Sequence, residues 1–455
     1  MAFATFFAVV MRSFQLGSYD NMINNFVEMY SGFITVEHPR YGDEPSLENS
    51  LIQSDETQNK ILNTPNVEDI QAKISYFSLA SYQKQTKGTM ISGINPEKQD
   101  KSAKLSEKIV KYRITENNLS EIKKLLGENK QSTAEKARNN SYTKVEFLLN
   151  DLKADRDNSE LTEKIKELTK YSGQYLTPDD EGVILGDRLA RYLKINTGDT
   201  LVLIGTGYRA STAAGKFPVR GIIKIPNPKL DGRMIYASLR TVQNYLSAYY
   251  TDPESGEKKY LLSSYALVLN DKSEEAIIET KKQVAEKLNK EEFAVKTWKE
   301  SNKELAQQIE SDDKSGQMIM GVLYLVIAFG VFGTVLMMTA ERKREMGVMI
   351  AIGMKKIKLT LMIAFELLFL GLIGVLSGIL LSSPLIVIGH LHPIRFSGDM
   401  ADIMIQMGFE PIMPMAWFDY YVFNQIYVVM IIVVLVSFYP MAAIRKLKVS
   451  DALRA

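Results

Sequence analysis

The stretch that decides the fold is residues 316–340, GQMIMGVLYLVIAFGVFGTVLMMTA, which contains no charged residue. A helix of roughly 20 apolar residues crosses the ~30 Å hydrocarbon core of a bilayer. Residues 420–443 also carry no charge, and residues 359–389 are apolar except for Glu366. The sequence therefore predicts an integral membrane protein with transmembrane helices at about 316–340, 359–389 and 420–443.

The N-terminus has a shorter apolar stretch. Residues 1–11, MAFATFFAVVM, are uncharged but fewer than the roughly 17 residues that a spanning helix needs, and Arg12 follows directly. A signal peptide would carry a basic segment before its apolar run, and none is present here. We interpret residues 1–29 as a partial first transmembrane helix with its stalk. On this interpretation the N-terminus of the sequence is either truncated or begins at a misassigned start. The expected fold is then a four-span α-helical membrane protein.

The basic residues predict the orientation of these helices. Lysine and arginine are concentrated in the link 341–358 and in the tail after residue 443, whereas the loop 390–419 has only Arg395. Because short cytoplasmic loops are rich in lysine and arginine, the link and the C-terminus are expected in the cytoplasm. Residues from about 12 to 315 and the loop 390–419 are then expected outside.

The region between the first two spans is long and polar enough to form a domain with its own core. We predict that residues 30–308 form a large α+β extracytoplasmic domain, because short strand patterns alternate with helical ones. The strand patterns lie at 32–37, 72–77, 200–204, 219–224 and 265–269, and the helical patterns at 239–249 and 274–289. The lysine- and glutamate-rich residues 101–171 are interpreted as a charged helical insertion with solvated faces.

Composition excludes several classes of function. The 455-residue chain has a formal net charge of +2 and no cysteine, and its three histidines are His38, His390 and His392. A near-neutral balance argues against a nucleic-acid partner, and the missing ligand residues argue against a metal site or another cofactor. No G-x-x-x-x-G-K-[ST] loop is present. We therefore expect no enzyme activity in this chain.

Four segments resemble the FtsX-like and MacB-type ABC transporter permeases. They are residues 341–356 with an E-R-x-x-E-x-G-V-x-x-A-I-G core, Glu366 within FELLFLGLIG, the ending 440–454 (PMAAIRKLKVSDALR) and residues 182–199 (GVILGDRLARYLKINTGD). The ending has Val449 where proline is usual in the family. The resemblance is nearest to the lipoprotein-releasing permeases of the LolC/LolE type, and it implies a permease domain over residues 309–455 and a MacB-like periplasmic core domain.

The resemblance implies partners and sites for the link. A short helix there would hide apolar side chains at the membrane surface and present charges to a cytoplasmic ATP-binding subunit; an ordinary basic loop is the alternative. The residues expected to couple to that subunit are Glu341, Arg342, Arg344, Glu345, Gly347 and Gly353. Further partners implied are a second permease copy or paralogue, a lipoprotein cargo with a periplasmic carrier or adaptor, and membrane lipid.

Two features inside the spans have alternative interpretations. Glu366 is a polar residue within the membrane, serving either a proton relay or, as we favour, an ion pair with a cation at the cytoplasmic end. Gly374 and Gly378 form a small-residue motif that lets helices approach closely. That motif fits packing within the chain and packing at a subunit interface equally well.

The resulting hypothesis is an ABC transporter permease in the inner membrane of a Gram-negative bacterium. It would transmit movement mechanically from cytoplasmic ATP hydrolysis to the periplasmic release of lipoproteins toward the outer membrane. One alternative is efflux of a drug, peptide or toxin with a periplasmic adaptor. A second is a signalling permease that controls a cell-wall hydrolase without transport. The cargo and the homo- or heterodimeric state do not follow from the sequence.

Overall fold

The computed structural model describes residues 1–127, 130–155, 158–396, 399–406 and 411–446. The chain divides into two compact units. The membrane unit comprises Met1–Asn21, Ala306–Phe396 and Ile412–Ala455, and the large unit comprises Met22–Leu305 and Ser397–Pro411.

The helices of the described residues fall into two groups by length. Most are short and belong to the large unit, whereas four have at least 25 residues. In chain order they are α1 (Ala2–Phe26), α2 (Asp55–Leu62), α3 (Pro96–Ala103), α4 (Glu116–Leu126), α5 (Gln131–Lys136), α6 (Val145–Asp151), α7 (Ser159–Thr169), α8 (Asp187–Leu193), α9 (Pro228–Asp231), α10 (Leu239–Tyr245), α11 (Glu274–Lys287), α12 (Trp298–Ser301), α13 (Lys303–Glu341), α14 (Lys343–Ala351), α15 (Lys356–Leu391), α16 (Asp399–Gln406) and α17 (Tyr420–Lys446).

The strands form one large sheet and three small ones. In chain order they are β1 (Ile34–Glu37), β2 (Leu51–Ile52), β3 (Val67–Tyr82), β4 (Gln85–Ile94), β5 (Tyr112–Arg113), β6 (Ser141–Tyr142), β7 (Val183–Gly186), β8 (Thr200–Thr206), β9 (Thr212–Ile223), β10 (Met234–Ser238), β11 (Tyr249–Thr251), β12 (Lys258–Leu262), β13 (Ser264–Leu269), β14 (Ala294–Thr297), β15 (Ile394–Arg395) and β16 (Ile412–Met413).

The large sheet is mixed and partly closed on itself. Its order is β14-β1-β13-β3-β4-β10-β7-β9-β8, and β3 also pairs with β8, which joins six of the strands into a ring. The pairs β10–β4 and β7–β9 are parallel, and the other pairs are antiparallel. The long β3 makes this possible because its first half pairs with β13 and its second half with β8.

The core of the large unit lies on the sheet and against two helices. Ile74, Leu185 and Ile235 from the strands pack with Leu189 of α8 and Val242 of α10, and all five are essentially inaccessible to solvent. Burial of each such side chain contributes about 1.5–3 kcal/mol. This packing fixes α8 against the sheet.

The charged insertion has a hydrophobic core of its own. Helices α4 to α7 bury Leu119, Ile122, Leu148, Leu149 and Ile165 against one another. The helical spacing of apolar residues in this region indicated such helices, and their charged faces lie outward. The insertion is therefore a small helical lobe of the large unit.

The membrane unit contains three helices long and apolar enough to cross a bilayer. They are α13, α15 and α17, so the three predicted spans are confirmed as helices with longer bounds. Their apolar side chains are largely exposed, as expected where lipid covers them. Helix α1 is not among the three, and its first half packs in this unit through Ala8 and Val9, which are fully buried.

One local expectation was wrong, and parts of two others were not tested. The helical pattern at 239–249 ends as a helix at Tyr245, and Tyr249 begins β11, where it pairs with Tyr260. The parts of the ending 440–454 and of the loop 390–419 that fall on residues 447–455, 397–398 and 407–410 lie outside the described residues.

Candidate functional site

The link between the second and third apolar helices folds as the short helix α14. It begins after a turn at Arg342 and ends at Ala351. Two residues later, Gly353 has a φ of 107°, in the left-handed region that favours glycine. The N–H of Gly353 bonds to the carbonyl of Ile350, and the N–H of Met354 bonds to that of Met349, both at 3.0 Å. These two bonds form a Schellman motif, which stops the helix at a defined residue.

Helix α14 has a packed side and a solvent side. Met346 and Gly347 are buried in the membrane unit, where Met346 joins a cluster with Val335 of α13, Leu359 of α15 and Ile444 of α17. The charged residues of the link that were expected to contact a partner are exposed: Glu341, Arg342, Arg344 and Glu345. Ile352 at the end of the helix is 83% exposed. The link thus presents charges and the apolar side chains of Val348 and Ile352, while its buried side belongs to the same hydrophobic cluster as residues of all three apolar helices.

Glu366 of α15 is paired with a cation of the link. The Nη1 of Arg342 donates a hydrogen bond to the Oε1 of Glu366 at 2.5 Å, and the side chains are 45% and 31% exposed. This is the ion pair favoured from the sequence, and no further carboxylate or histidine that could relay a proton is hydrogen-bonded to it among the contacts of the described residues.

A second link residue holds the end of the last helix. The Nζ of Lys356 donates to the backbone carbonyl of Arg445 at 3.1 Å. A cation at this position satisfies a carbonyl that the end of α17 leaves without an intrahelical partner. The link therefore contacts α15 and α17 through polar groups as well as through its apolar side.

Gly374 and Gly378 of α15 contact α1. A β-carbon at Gly374 would lie 2.6 Å from the Cβ of Met1, and one at Gly378 would lie 2.6 Å from the carbonyl oxygen of Ala2 and the Cβ of Thr5. Only glycine allows so close an approach of two backbones. In this structure the motif serves packing within the chain.

A polar network that was not predicted joins α1 to α13. Arg12 donates to Asp313 at 2.7 Å, Tyr19 donates to Asp312 at 2.7 Å, and Gln15 bridges them by contacting both Arg12 and Tyr19. Arg12, Gln15 and Tyr19 follow the i, i+3, i+7 spacing of one helix face. The sequence shows that these three side chains share a helix face, but it does not show their acidic partners, which lie about 300 residues away along the chain.

The segment before α17 is also bound to α1. Ser13 and Ala416 exchange two hydrogen bonds of 2.9 Å, one between backbones and one from the Ser13 hydroxyl. A β-carbon at Gly17 would lie 2.6 Å from the N of Ala416, so the segment rests on the helix backbone there. Together with the contacts above, α1 is fixed to each of the three apolar helices or their connections.

The described residues contain no group of three or more His, Asp or Glu side chains arranged to hold a metal ion. His390 instead contacts the carbonyl oxygen of Met415 through Nδ1 at 2.9 Å. A carbonyl accepts from an N–H, so this imidazole nitrogen carries a proton.

Comparisons with known proteins found a matching family and similar solved structures. Residues 318–449 match the family described as FtsX-like permease C-terminal. The extracellular domain of the noncanonic ABC-type transporter YknZ from Gram-positive bacteria is 14% identical with a TM-score of 0.29, over 58% of this chain and 99% of that one. The periplasmic region of MacB from Actinobacillus actinomycetemcomitans is 12% identical with a TM-score of 0.30, over 61% of this chain and 92% of that one. No curated protein matches the chain.

Three helices long and apolar enough to cross a bilayer, with a short charged link between two of them, indicate a membrane protein. Residues 318–449 are similar to the FtsX-like permease C-terminal family, as the motifs in 341–356 and 440–454 predicted. Permeases of this type work with a cytoplasmic ATP-binding subunit. A specific closeness to the lipoprotein-releasing group stays a prediction.

Proposed function

We propose that this chain is the permease subunit of an ABC transporter that converts cytoplasmic ATP hydrolysis into periplasmic release of lipoproteins toward the outer membrane. In this proposal residues 30–308 are periplasmic, residues 309–455 form the permease domain, and the membrane is the bacterial inner membrane. The energy comes from a separate ATP-binding subunit, and the permease pairs with a second copy or a paralogue.

The observation that carries the proposal is the construction of α14. Its exposed charges can meet a partner, whereas its buried side and the Arg342–Glu366 pair connect it to the apolar helices. A push on the exposed side would therefore move α15 rather than bend a loop. This supports a coupling role for Glu341, Arg342, Arg344, Glu345, Gly347 and Gly353.

Contacts of α1 support its role as the first of four spans. Its apolar half packs against Gly374 and Gly378 in the apolar part of α15. Phe3 and Phe7 on its other side are 75% and 56% exposed, as apolar side chains facing lipid would be. Helices α1 and α13 both continue beyond the apolar residues, to Phe26 and from Lys303, which suits helices that transmit movement.

The choice of cargo rests on the motifs shared with the lipoprotein-releasing permeases. It can be tested separately from the coupling mechanism, in proteoliposomes that hold the purified permease, its ATPase and a fluorescent lipoprotein. ATP-dependent transfer of the lipoprotein to a soluble carrier would support the proposal. ATP-dependent transport of a drug or peptide without lipoprotein transfer would favour efflux, and activation of a cell-wall hydrolase without either would favour signalling.

The coupling assignment is tested by association with the ATP-binding subunit. The double variant Glu341→Lys/Glu345→Lys reverses two exposed charges of the link and should abolish copurification from detergent. The matched control is Glu310→Lys, which changes an exposed glutamate at the far end of the same helix as Glu341. The assignment is wrong if the double variant copurifies as well as the parent or if the control loses association equally.

A further inference from the structure

The hairpin of β11 and β12 in the large unit carries aromatic rings and cations on one side. Tyr249 and Tyr260 lie directly opposite each other in the strand pair, and their ring centroids are 5.7 Å apart. The Cζ of Arg240, from α10, lies 3.4 Å from the centroid of the Tyr260 ring. The Nζ of Lys258 lies 4.4 Å from the centroid of the Tyr249 ring. We call these four side chains the hairpin face.

The alternation of side chains along the strands directs this face outward. Successive side chains of a strand lie on opposite sides, so Tyr250 and Lys259 are on the other side of the hairpin from Lys258. Tyr250 packs against the hydrophobic core of the large sheet, and Lys259 forms an ion pair with Asp252 at 2.5 Å. The side chains of Arg240 and Lys258 are exposed. The hairpin face is therefore the outer side of the hairpin.

The two cations of the hairpin face lie over rings and are not neutralised by carboxylates. Among the ion pairs of the described residues, Lys259 takes part in one, whereas Arg240 and Lys258 take part in none. A guanidinium that stacks on a ring keeps the N–H donors at its edge free to bind a carboxylate with two hydrogen bonds. The face thus holds two positive charges in positions where an anionic partner can reach them.

The position of the hairpin in the large unit favours a soluble partner. Strand β12 leads into β13, whose first residue, Ser264, pairs with Glu37 at the end of β1. The chain enters this sheet from α1 at the other end of β1, where Ile34 pairs with Thr297, and it leaves toward α13 directly after Thr297. The hairpin therefore joins the sheet at the end opposite to the two connections with α1 and α13.

We propose that the hairpin face binds an extended acidic segment of a partner protein. Alternate side chains of an extended chain lie about 7 Å apart on one side, which is close to the 5.7 Å between the two ring centroids. Because each cation lies over a different ring, two carboxylates with this spacing can meet both cations. A single phosphate group suits cations that converge on one point, which these two do not.

Two further features of the hairpin suit a protein partner. Tyrosine and arginine are the residue types that most often contribute affinity at protein interfaces. Strand β11 is an outer strand of its small sheet, and no other described strand pairs with its free edge. An extended chain can lie beside such an edge, with alternate side chains directed to the outer side of the hairpin.

The test measures binding of a defined peptide to the full chain in an uncharged detergent. The probe is a dye-labelled peptide of alternating glutamate and glycine, and its control has glutamine in place of glutamate. Fluorescence anisotropy at constant ionic strength should show tighter binding of the glutamate peptide. Water-soluble dibutyroyl-phosphatidylglycerol is titrated separately, and binding of this lipid without binding of the glutamate peptide would overturn the proposal in favour of a lipid headgroup.

The decisive variant is Arg240→Gln/Lys258→Gln, in which binding of the glutamate peptide should weaken by about tenfold or more. The matched pair of single variants is Lys258→Gln and Lys259→Gln, which remove the same charge from neighbouring positions on opposite sides of β12. Lys258→Gln should weaken binding severalfold, and Lys259→Gln should leave it unchanged. The proposal is also overturned if the two peptides bind equally, if the double variant binds like the parent, or if Lys259→Gln weakens binding as much as Lys258→Gln.

Discussion

Arg342 reaches from the turn before α14 to Glu366 in α15 and pairs with it at 2.5 Å. The pair joins the link to a position about three turns into α15, because Glu366 lies ten residues after Lys356, the first residue of that helix. A carboxylate inside an apolar helix is costly unless it is paired. The pair therefore both satisfies the carboxylate and joins the link to α15.

Neutralising this carboxylate should uncouple the permease without detaching its ATPase. In Glu366→Gln we expect copurification of the ATP-binding subunit to persist and ATP-dependent lipoprotein transfer to fall several-fold, because a push on α14 no longer reaches α15 through the pair. Since both side chains are partly exposed, thermal stability should fall by less than about 1 kcal/mol. The swap Arg342→Glu/Glu366→Arg should restore part of the transfer, and full transfer by Glu366→Gln alone would contradict the coupling role.

A second prediction concerns the contact of α1 with α15. Gly378→Leu should destabilise the membrane unit by about 1–3 kcal/mol, because its side chain would enter the space of Ala2 and Thr5. Thermal unfolding of a Trp298→Phe background, followed by Trp417 fluorescence, reports on this unit. The matched control is Gly330→Leu in α13, where a β-carbon would have no neighbour within 4 Å. Equal destabilisation by both substitutions would refute the described packing.

The spans could be predicted because the absence of charge over 25 residues has no other common explanation in a long chain. The full lengths of these helices could not be predicted. Helix α13 begins at Lys303, in a polar segment whose composition does not indicate a membrane helix. Strand β4, QTKGTMISGI, was missed because its glycines and small polar residues lack a strand pattern. Pairing with the neighbouring β3 and β10 makes it a strand.

The candidate site was predictable to a similar extent. The helix end at Gly353 and a cation beside Glu366 follow from local sequence, because both depend on residues close in the chain or on the cost of a charge in lipid. The Arg12–Asp313 pair and the Asp187–Asp231 arrangement join residues distant in sequence. Their partners are chosen by the tertiary fold, which no single pattern along the chain specifies.

The network between α1 and α13 should contribute measurably to stability. We expect Arg12→Ala and Asp313→Ala to be non-additive, with a coupling free energy of about 1 kcal/mol in a double-mutant cycle, since their 2.7 Å pair is only partly exposed. Thermal unfolding of the Trp298→Phe background measures each variant. The matched cycle is Glu310→Ala with Lys314→Ala, an exposed pair on α13 that should show a smaller coupling. If the destabilisations caused by Arg12→Ala and Asp313→Ala are strictly additive, the network does not stabilise the contact between the two helices.

The last prediction is a pH dependence of the large unit. Burial and the neighbouring Asp187 raise the pKa of Asp231 to about 7, against 3.8 for an ordinary aspartate. Between these two values the folded state holds a proton that the unfolded state has lost, so the contribution of Asp231 to stability is greatest at low pH and falls as pH rises from about 4 to about 7. The slope from this one group is at most about 1.4 kcal/mol per pH unit.

Unfolding of the large unit can be followed by Trp298, which is buried there, in a Trp417→Phe background. Asp231→Asn removes the titrating group and should flatten the dependence between pH 4 and 7, although it lowers stability overall because an amide nitrogen would then face a backbone N–H donor. The matched control Asp252→Asn changes an aspartate whose pKa is lowered, chiefly by its hydrogen bond with Lys259, and should leave the slope between pH 5 and 7 intact. An unchanged slope in Asp231→Asn would show that another group takes up this proton.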